Sequence, residues 1–213
     1  MPTRTVHCTD ALAWLASNPL PARAAILTSL PDVAEFGHRD AERWLTWFLD
    51  AARLVLRALP PDGAAIFFQT DVKRAGRWVD KAFLVQQAAA DVEVPLVWHK
   101  IVCRAPAGQA TGGRPGYAHL LCFSREVQDL GDAQADVLPE LGGTTWPKGM
   151  GRAAADFAVR WLAGAGASCL VAPFCGEGTA LAAANAVGLD AVGIEKNPGR
   201  AARACGQAGD VRP

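Results

Sequence analysis

Short apolar runs alternate along the chain with stretches of helical period. Thr5-Val-His-Cys8, Ala24-Ala-Ile-Leu27, Ala64-Ala-Ile-Phe-Phe68, Leu96 to Cys103, His119 to Ser124, Ser168 to Ala172 and Ala191 to Ile194 are each bounded by polar or turn-forming residues and have the length of buried strands. Helical spacing recurs between them, at Ala11 to Ala16, Asp40 to Leu59, Val79 to Ala90, Ala153 to Leu162 and Ala180 to Val187. The longest of these puts Trp44, Trp47, Phe48, Ala51, Leu54 and Val55 on one face. Pro60-Pro-Asp-Gly63 ends it, since proline lacks the helix donor and glycine permits the turn. Such alternation predicts an α/β fold, a mostly parallel sheet with helices on both faces. From Asp129 to Gly151 no period is evident, and Pro139, Gly142, Gly143 and Pro147 predict a mobile connector.

Composition narrows this picture. A chain of 213 residues suits a single α/β domain spanning 1–213, with no room for a separate target-recognition domain. Lysine plus arginine balance aspartate plus glutamate at 21 each, so charge names no partner. The six cysteines, Cys8, Cys103, Cys122, Cys169, Cys175 and Cys205, form no C-x-x-C pair, and His7, His38, His99 and His119 show no ligand spacing, so no metal is expected. Reduced thiols and the lack of a long apolar run or a leader pattern point to a cytoplasmic protein with no membrane partner.

The chemistry concentrates near the end of the chain, in Val171-Ala-Pro-Phe-Cys-Gly-Glu-Gly-Thr179. Here a strand meets a helix through Gly176 and Gly178, which let the backbone turn sharply and approach a ligand. Glu195 ends the next strand, where an acid accepts hydrogen bonds from a ribose diol in doubly wound nucleotide folds. The loop is neither G-x-G-x-x-G nor a phosphate loop, which disfavours a dinucleotide or ATP.

Pro173-Phe-Cys-Gly-Glu-Gly-Thr179 resembles the cofactor loop D-P-F-x-G-x-G-T of the Rossmann-like S-adenosylmethionine methyltransferases, within them the circularly permuted beta-class amino-methyltransferases of nucleic-acid bases; Ala172 replaces the usual Asp. Val192-Gly-Ile-Glu195, continued by Lys196-Asn-Pro198, resembles the family's ribose-binding strand. Thr9-Asp10-Ala-Leu12 is similar to the segment whose Asp reaches the adenine, and Thr28-Ser-Leu-Pro-Asp32 stands in place of the catalytic [DNS]-P-P-[YFW] motif. Gly113 to His119 and Trp146 to Gly151 complete the likeness in permuted order. The cofactor half follows the catalytic half in this class, which accounts for a glycine-rich loop so late in the chain.

The resemblance implies S-adenosylmethionine as cofactor, bound by Asp10, Thr28, Pro173, Phe174, Gly176, Gly178, Thr179, Glu195 and Asn197. It implies methyl transfer to an exocyclic amine, with Ser29 and the Leu30 carbonyl accepting the amine hydrogens, Pro31 fixing both, and Asp32 where the family has a stacking aromatic. Asp32 is then a hydrogen-bond or proton acceptor, or a turn residue; the missing stack comes from Phe36, Phe68 or Tyr117, with Tyr117 preferred or else half-packed. Cysteine attack on a pyrimidine is disfavoured, since no cysteine occupies a nucleophile motif. Lys73, Arg74, Arg77, Lys81, His99, Lys100, Arg104 and Arg114, with Trp78 among them, are either a converging phosphate surface or ordinary solvated charge; Arg114 and Lys100 join Tyr117 as substrate-binding candidates. Lacking an inserted recognition region, the chain is expected to act on structured RNA such as tRNA rather than DNA, with a DNA cytosine or adenine amine, a small molecule, or a non-catalytic partner role as alternatives. A Trp44/Trp47 face allows a homodimer or a partner subunit.

Overall fold

The computed structural model describes residues 1–35, 40–128, 134–146 and 148–206. Phe36, His38 and Pro147 lie outside the described residues. Eight strands form the main sheet: β1 (Arg4–His7), β2 (Ala24–Thr28), β3 (Ala65–Gln69), β6 (Leu96–Cys103), β7 (Tyr117–Phe123), β8 (Val137–Leu138), β9 (Cys169–Pro173) and β10 (Asp190–Ile194). A separate two-stranded hairpin pairs β4 (Val72–Arg74) with β5 (Arg77–Val79). The spatial order is β1-β10-β9-β2-β3-β7-β6-β8, parallel throughout except at β7, which runs against both its neighbours.

Helices α1 (Ala11–Ser17), α2 (Ala41–Ala58) and α3 (Lys81–Asp91) cover one face, and α4 (Arg152–Gly164), α5 (Thr179–Ala186) and α6 (Pro198–Gly206) the other. Period-two alternation explains the sandwich. On β2, Ile26 points into the first core while Ala25 and Leu27 point into the second, so every residue of that strand is buried. The first core is aromatic, with Trp44, Phe48, Phe67 and Phe123 all almost fully enclosed. The second is built largely of alanine, and α5, with buried Ala180, Ala182, Ala183 and Ala184, lies close against β9 and β10 as a consequence.

Each predicted strand is present, within two residues of its expected ends. The connector from Asp129 to Gly151 differs from expectation: Val137–Leu138 adds a short parallel strand to β6, and the backbone of Leu141 accepts hydrogen bonds from Ala153 and Ala154. The Trp44/Trp47 face is an internal surface. Trp44 is 1% exposed, and Trp47 packs edge-on against Phe174 with ring centroids 6.0 Å apart, so neither indole offers a free dimer face.

Candidate cofactor and acceptor cavities

Strand order reverses between β9 and β2, the place where ligands bind in open α/β sheets. There the Thr28 hydroxyl donates to the Pro173 carbonyl at 2.7 Å, tying the two strand ends together. A cavity of about 180 Å³ opens above this join, lined among others by Asp10, Thr28, Ser29, Phe174, Gly176, Thr179 and Glu195.

The loop after β9 is held in an unusual shape. Phe174 has φ +60°, Gly176 φ +57° and Gly178 φ +89°, a left-handed run that only glycine adopts without cost at most positions. Gly178 cannot carry a side chain, because a Cβ there would lie 3.0 Å from the Ala204 Cα. Glu195 is 6% exposed, and its two carboxylate oxygens accept the backbone N–H groups of Gly176 at 3.1 Å and Asn197 at 2.8 Å. A carboxylate oxygen keeps capacity for a further bond, so Glu195 is positioned and still has acceptor sites for a diol at the cavity wall. Asp10 caps α1, its Oδ1 accepting from Leu12 and Ala13, and the residue lines the same cavity. Trp146 forms another wall: the Arg200 guanidinium lies 4.2 Å from its ring centroid, and a Cβ on Gly176 would stand 3.1 Å from its Nε1. Burial, followed by the charge of Glu195, pushes the Cys175 thiol up to about 12, so it is no nucleophile at neutral pH.

Three of the expected cofactor residues do not line the cavity. Pro173 and Gly178 shape the loop from behind, and Asn197 caps α6, its Oδ1 accepting from the Arg200 N–H. Trp47, Trp146, Met150, Lys196 and Arg200 do line it. The sequence signalled the Trp146 to Gly151 segment and Lys196; α6, which brings Arg200, follows Asn197-Pro198, an asparagine cap with proline at the first helical position.

A second cavity, of about 310 Å³, meets the first at Ser29, Leu30, Glu35, Lys148 and Gly149. Among the described residues, no hydrogen bond engages the Ser29 hydroxyl or the Leu30 carbonyl, whereas the Pro31 carbonyl is fixed by Trp44 Nε1 at 3.2 Å. Two acceptors are thus free at the junction, on a segment anchored from behind. Glu35 and Lys148, 3.9 Å apart, flank it. Asp32 lies in the second cavity and not the first; its backbone carbonyl closes a turn with Glu35, while its Oδ1 is buried without a hydrogen bond.

The far wall of the second cavity is charged. Lys73, Arg74, Lys81, Arg104 and Arg114 line it together with Asp32 and Asp71. Burial, then the charge of Arg114, pushes the Arg104 guanidinium down, as expected of converging cations. Lys73 sits over the exposed Trp78 ring, its Nζ 5.7 Å from the centroid, on the β4–β5 hairpin. Of the two predicted substrate cations, Arg114 is in place and Lys100 is not. The Lys100 side chain is 4% exposed, pairs with Asp136 at 3.2 Å, and packs over Trp98 and Phe157, away from both cavities.

Tyr117 does not line the cavity either. It is 39% exposed and its hydroxyl donates to Asp71 Oδ2 at 3.3 Å; burial, then the charge of Asp71, raises its pKa. Phe68, the other named aromatic that the structure describes, does line it. Asp71 is the hub of a chain, with His119 Nε2 at 3.2 Å from its Oδ2 and His99 Nε2 at 2.9 Å from His119 Nδ1. Burial opposes the Asp71 charge, but His119, the Lys81 N–H and Tyr117 outweigh it and hold the carboxyl below its ordinary value. Asp71, Asp80 and His119 gather ligand atoms within 4.8 Å of one another. Asp71 already accepts from the Lys81 N–H and Tyr117 and bonds His119, and Asp80 Oδ1 accepts from the Phe83 N–H.

No protein-family model matches the sequence, and no curated protein does. Solved structures do match. The PvuII DNA methyltransferase, named as cytosine-N4-specific, superposes with a TM-score of 0.78 at 16% identity over 99% of this chain and 88% of that one. TTHA0409 of Thermus thermophilus, named as a candidate DNA modification methylase and solved with S-adenosyl-L-methionine, gives 0.72 at 21% identity over 95% and 91%. The M1.HpyAVI complex with SAM gives 0.64 at 13% over 95% and 97%. The fold is that of the permuted amino-methyltransferases. In this methyltransferase fold, β9 and β10 carry the glycine loop and the acid late in the chain, and β10 pairs in parallel with β1 at its start. No helix of the described residues is long and apolar enough to cross a membrane.

Proposed function

We propose that this chain is an S-adenosylmethionine-dependent methyltransferase that modifies an exocyclic amine of a nucleic-acid base, with DNA as the polymer. The observation that carries this reading is the pair of unspent acceptors, the Ser29 hydroxyl and the Leu30 carbonyl, standing where the two cavities meet. A non-catalytic partner subunit has no use for such a pair.

The residues of the first cavity fit the cofactor. Glu195 offers acceptors to a ribose diol from a fixed carboxylate, Asp10 lies within reach of an adenine-sized group, and the tight approach of Gly176 to Trp146 leaves no room for a side chain between loop and ligand. S-adenosylmethionine held by Asp10, Glu195 and the glycine loop would supply an electrophilic sulfonium methyl and leave as the neutral thioether, with the proton displaced from the amine passing to solvent. The chain's own task is to make the amine attack. An amine conjugated with its ring is planar and weakly nucleophilic; Ser29 Oγ and the Leu30 carbonyl, accepting its two hydrogens, favour the pyramidal form in which the lone pair faces the first cavity. The Pro31 carbonyl, held by Trp44, keeps that pair aligned.

The choice of DNA departs from the RNA expectation of the sequence. That expectation rested on the lack of an inserted recognition region. The match covers 91% and 88% of the two chains named for DNA modification, so they carry little beyond this fold and size does not separate the polymers. Lys73, Arg74, Arg104 and Arg114 around the second cavity provide phosphate contacts for either.

Incubation with labelled S-adenosylmethionine and DNA oligonucleotides or total RNA, followed by nucleoside mass spectrometry, tests the reading. Label in a DNA amino group is expected. Ser29→Ala should lower kcat by roughly 100-fold with cofactor affinity unchanged. Label confined to RNA would move the polymer, and no label in either, with the cofactor tightly bound, would refute base methylation.

A further inference from the structure

Lys81 is the first residue of α3, and its backbone N–H donates to Asp71 Oδ1 at 2.9 Å, which fixes where the side chain starts. The side chain enters the second cavity and is only 4% exposed. Among the described residues, its Nζ makes no hydrogen bond and no carboxylate lies within 4.0 Å of it; the Phe48 ring centroid is 6.0 Å away. Burial pushes the ammonium below its ordinary pKa, and Asp32, Asp71 and Glu35, in that order, pull it back. A largely buried cation with no carboxylate in contact has its three donors unspent, an arrangement that a ligand in the cavity completes. Asp32, with its own buried and unpartnered Oδ1, lines the same space.

We propose that Lys81 is the specificity-determining residue of the acceptor cavity, its ammonium donating to the ring nitrogen and carbonyl oxygen that follow the reacting amine around a cytosine ring. This rests on the base-methyltransferase reading above. With the amine held at Ser29 and Leu30, where the two cavities meet, a ring placed in the second cavity shares that space with Lys81, Arg104, Arg114 and Asp32. In cytosine the edge beside the amine carries two successive acceptors, N3 and O2, which suit an ammonium with three donors. Adenine has N1 beside its amine but a C–H where cytosine has the carbonyl. Guanine turns an N–H toward the cation, and thymine has no amine. Asp32, Asp71 and Glu35 supply negative potential that partly offsets the effect of burial on the ammonium without occupying its donors.

Lys81→Met keeps the length of the side chain and removes the charge. Its kcat/KM for cytosine in a DNA oligonucleotide should fall about 30-fold, the loss expected for a hydrogen bond to a charged donor. The affinity of deoxycytidine monophosphate for the protein saturated with S-adenosylhomocysteine should fall similarly, measured by calorimetry, while that of deoxyadenosine monophosphate, with one acceptor in place of two, should fall clearly less. An unfolding midpoint equal to or above that of the wild type will show that recognition and not folding was lost. Equal losses for both nucleotides, or none, would overturn the assignment. Wild-type transfer to adenine in place of cytosine would overturn it and leave the methyltransferase reading intact; no transfer to any base would overturn both.

Discussion

The first cavity takes its polar groups from residues next to strand ends, held by the backbone: Glu195 by Gly176 and Asn197, Asp10 by the start of α1. The second takes them from far apart, Asp32 after β2, Asp71 after β3, Lys81 on α3, Arg104 after β6 and Arg114 in the glycine-rich loop, and leaves Asp32 Oδ1 without a hydrogen bond among the described residues. A ligand with a fixed shape needs the first kind of wall. A site that must discriminate among related rings is better served by the second, since one side chain can alter the choice without disturbing the loop geometry.

The largest effect that would sharpen this contrast is in the first cavity. Glu195→Ala removes the acceptors from two backbone N–H groups as well as from the ligand, and should weaken cofactor binding by about 2 kcal/mol, roughly 30-fold. Calorimetry giving the wild-type Kd would show that Glu195 only organises the loop. In the second cavity, replacing Lys73 and Arg114 together by Ala should weaken DNA binding uniformly across sequences and lower the magnitude of the logarithmic salt slope by roughly one per charge removed. An unaltered slope in a fluorescence titration would assign both cations to the solvated surface.

A smaller effect tests the interlocked wall itself. Burial, then the charge of His119, lowers the pKa of His99, so the unfolded chain takes up that proton first. Stability contributed by neutral His99 is therefore present above the ordinary histidine range near pH 6.5 and is lost as the pH falls through it. The unfolding temperature should drop between about pH 8 and about pH 5.5, and His99→Gln should flatten that drop. Equal slopes in calorimetric scans of the two proteins would remove His99 from the linkage.

These two styles of construction also decided what could be read from the residues in order. A strand, two glycines, a helix and an acid form one contiguous pattern, so the β9–α5–β10 unit and Glu195 were legible, as was the Ser29 segment at a strand end. Asn197 was placed by adjacency alone, and capping had a stronger claim on its side chain. Lys100 and Tyr117 show the limit on the other side. Lys100 alternates with its neighbours along β6, and that period does not say which face holds the ligand. Tyr117 stands in the right loop, yet Asp71, 46 positions away, engages its hydroxyl. Lys81 looked like one charge of a basic stretch; only the packing of α3 against β3 shows that it is enclosed.

The hydrogen bond from Thr28 to Pro173 spans 145 positions of the chain, and it marks a problem of timing during synthesis. β2 emerges from the ribosome early with two sides to pair. β3 soon covers one, but β9, the partner on the other side, is made only about 145 positions later. Until then the nascent chain carries a strand built for full burial with an unpaired edge, the kind of surface that recruits other strands. The order of the segments sets this central pairing far apart in translation, whatever the layout of the finished sheet. The cell's chaperones, rather than the active site, bear the consequence, and slower synthesis before Cys169 should raise the aggregated fraction.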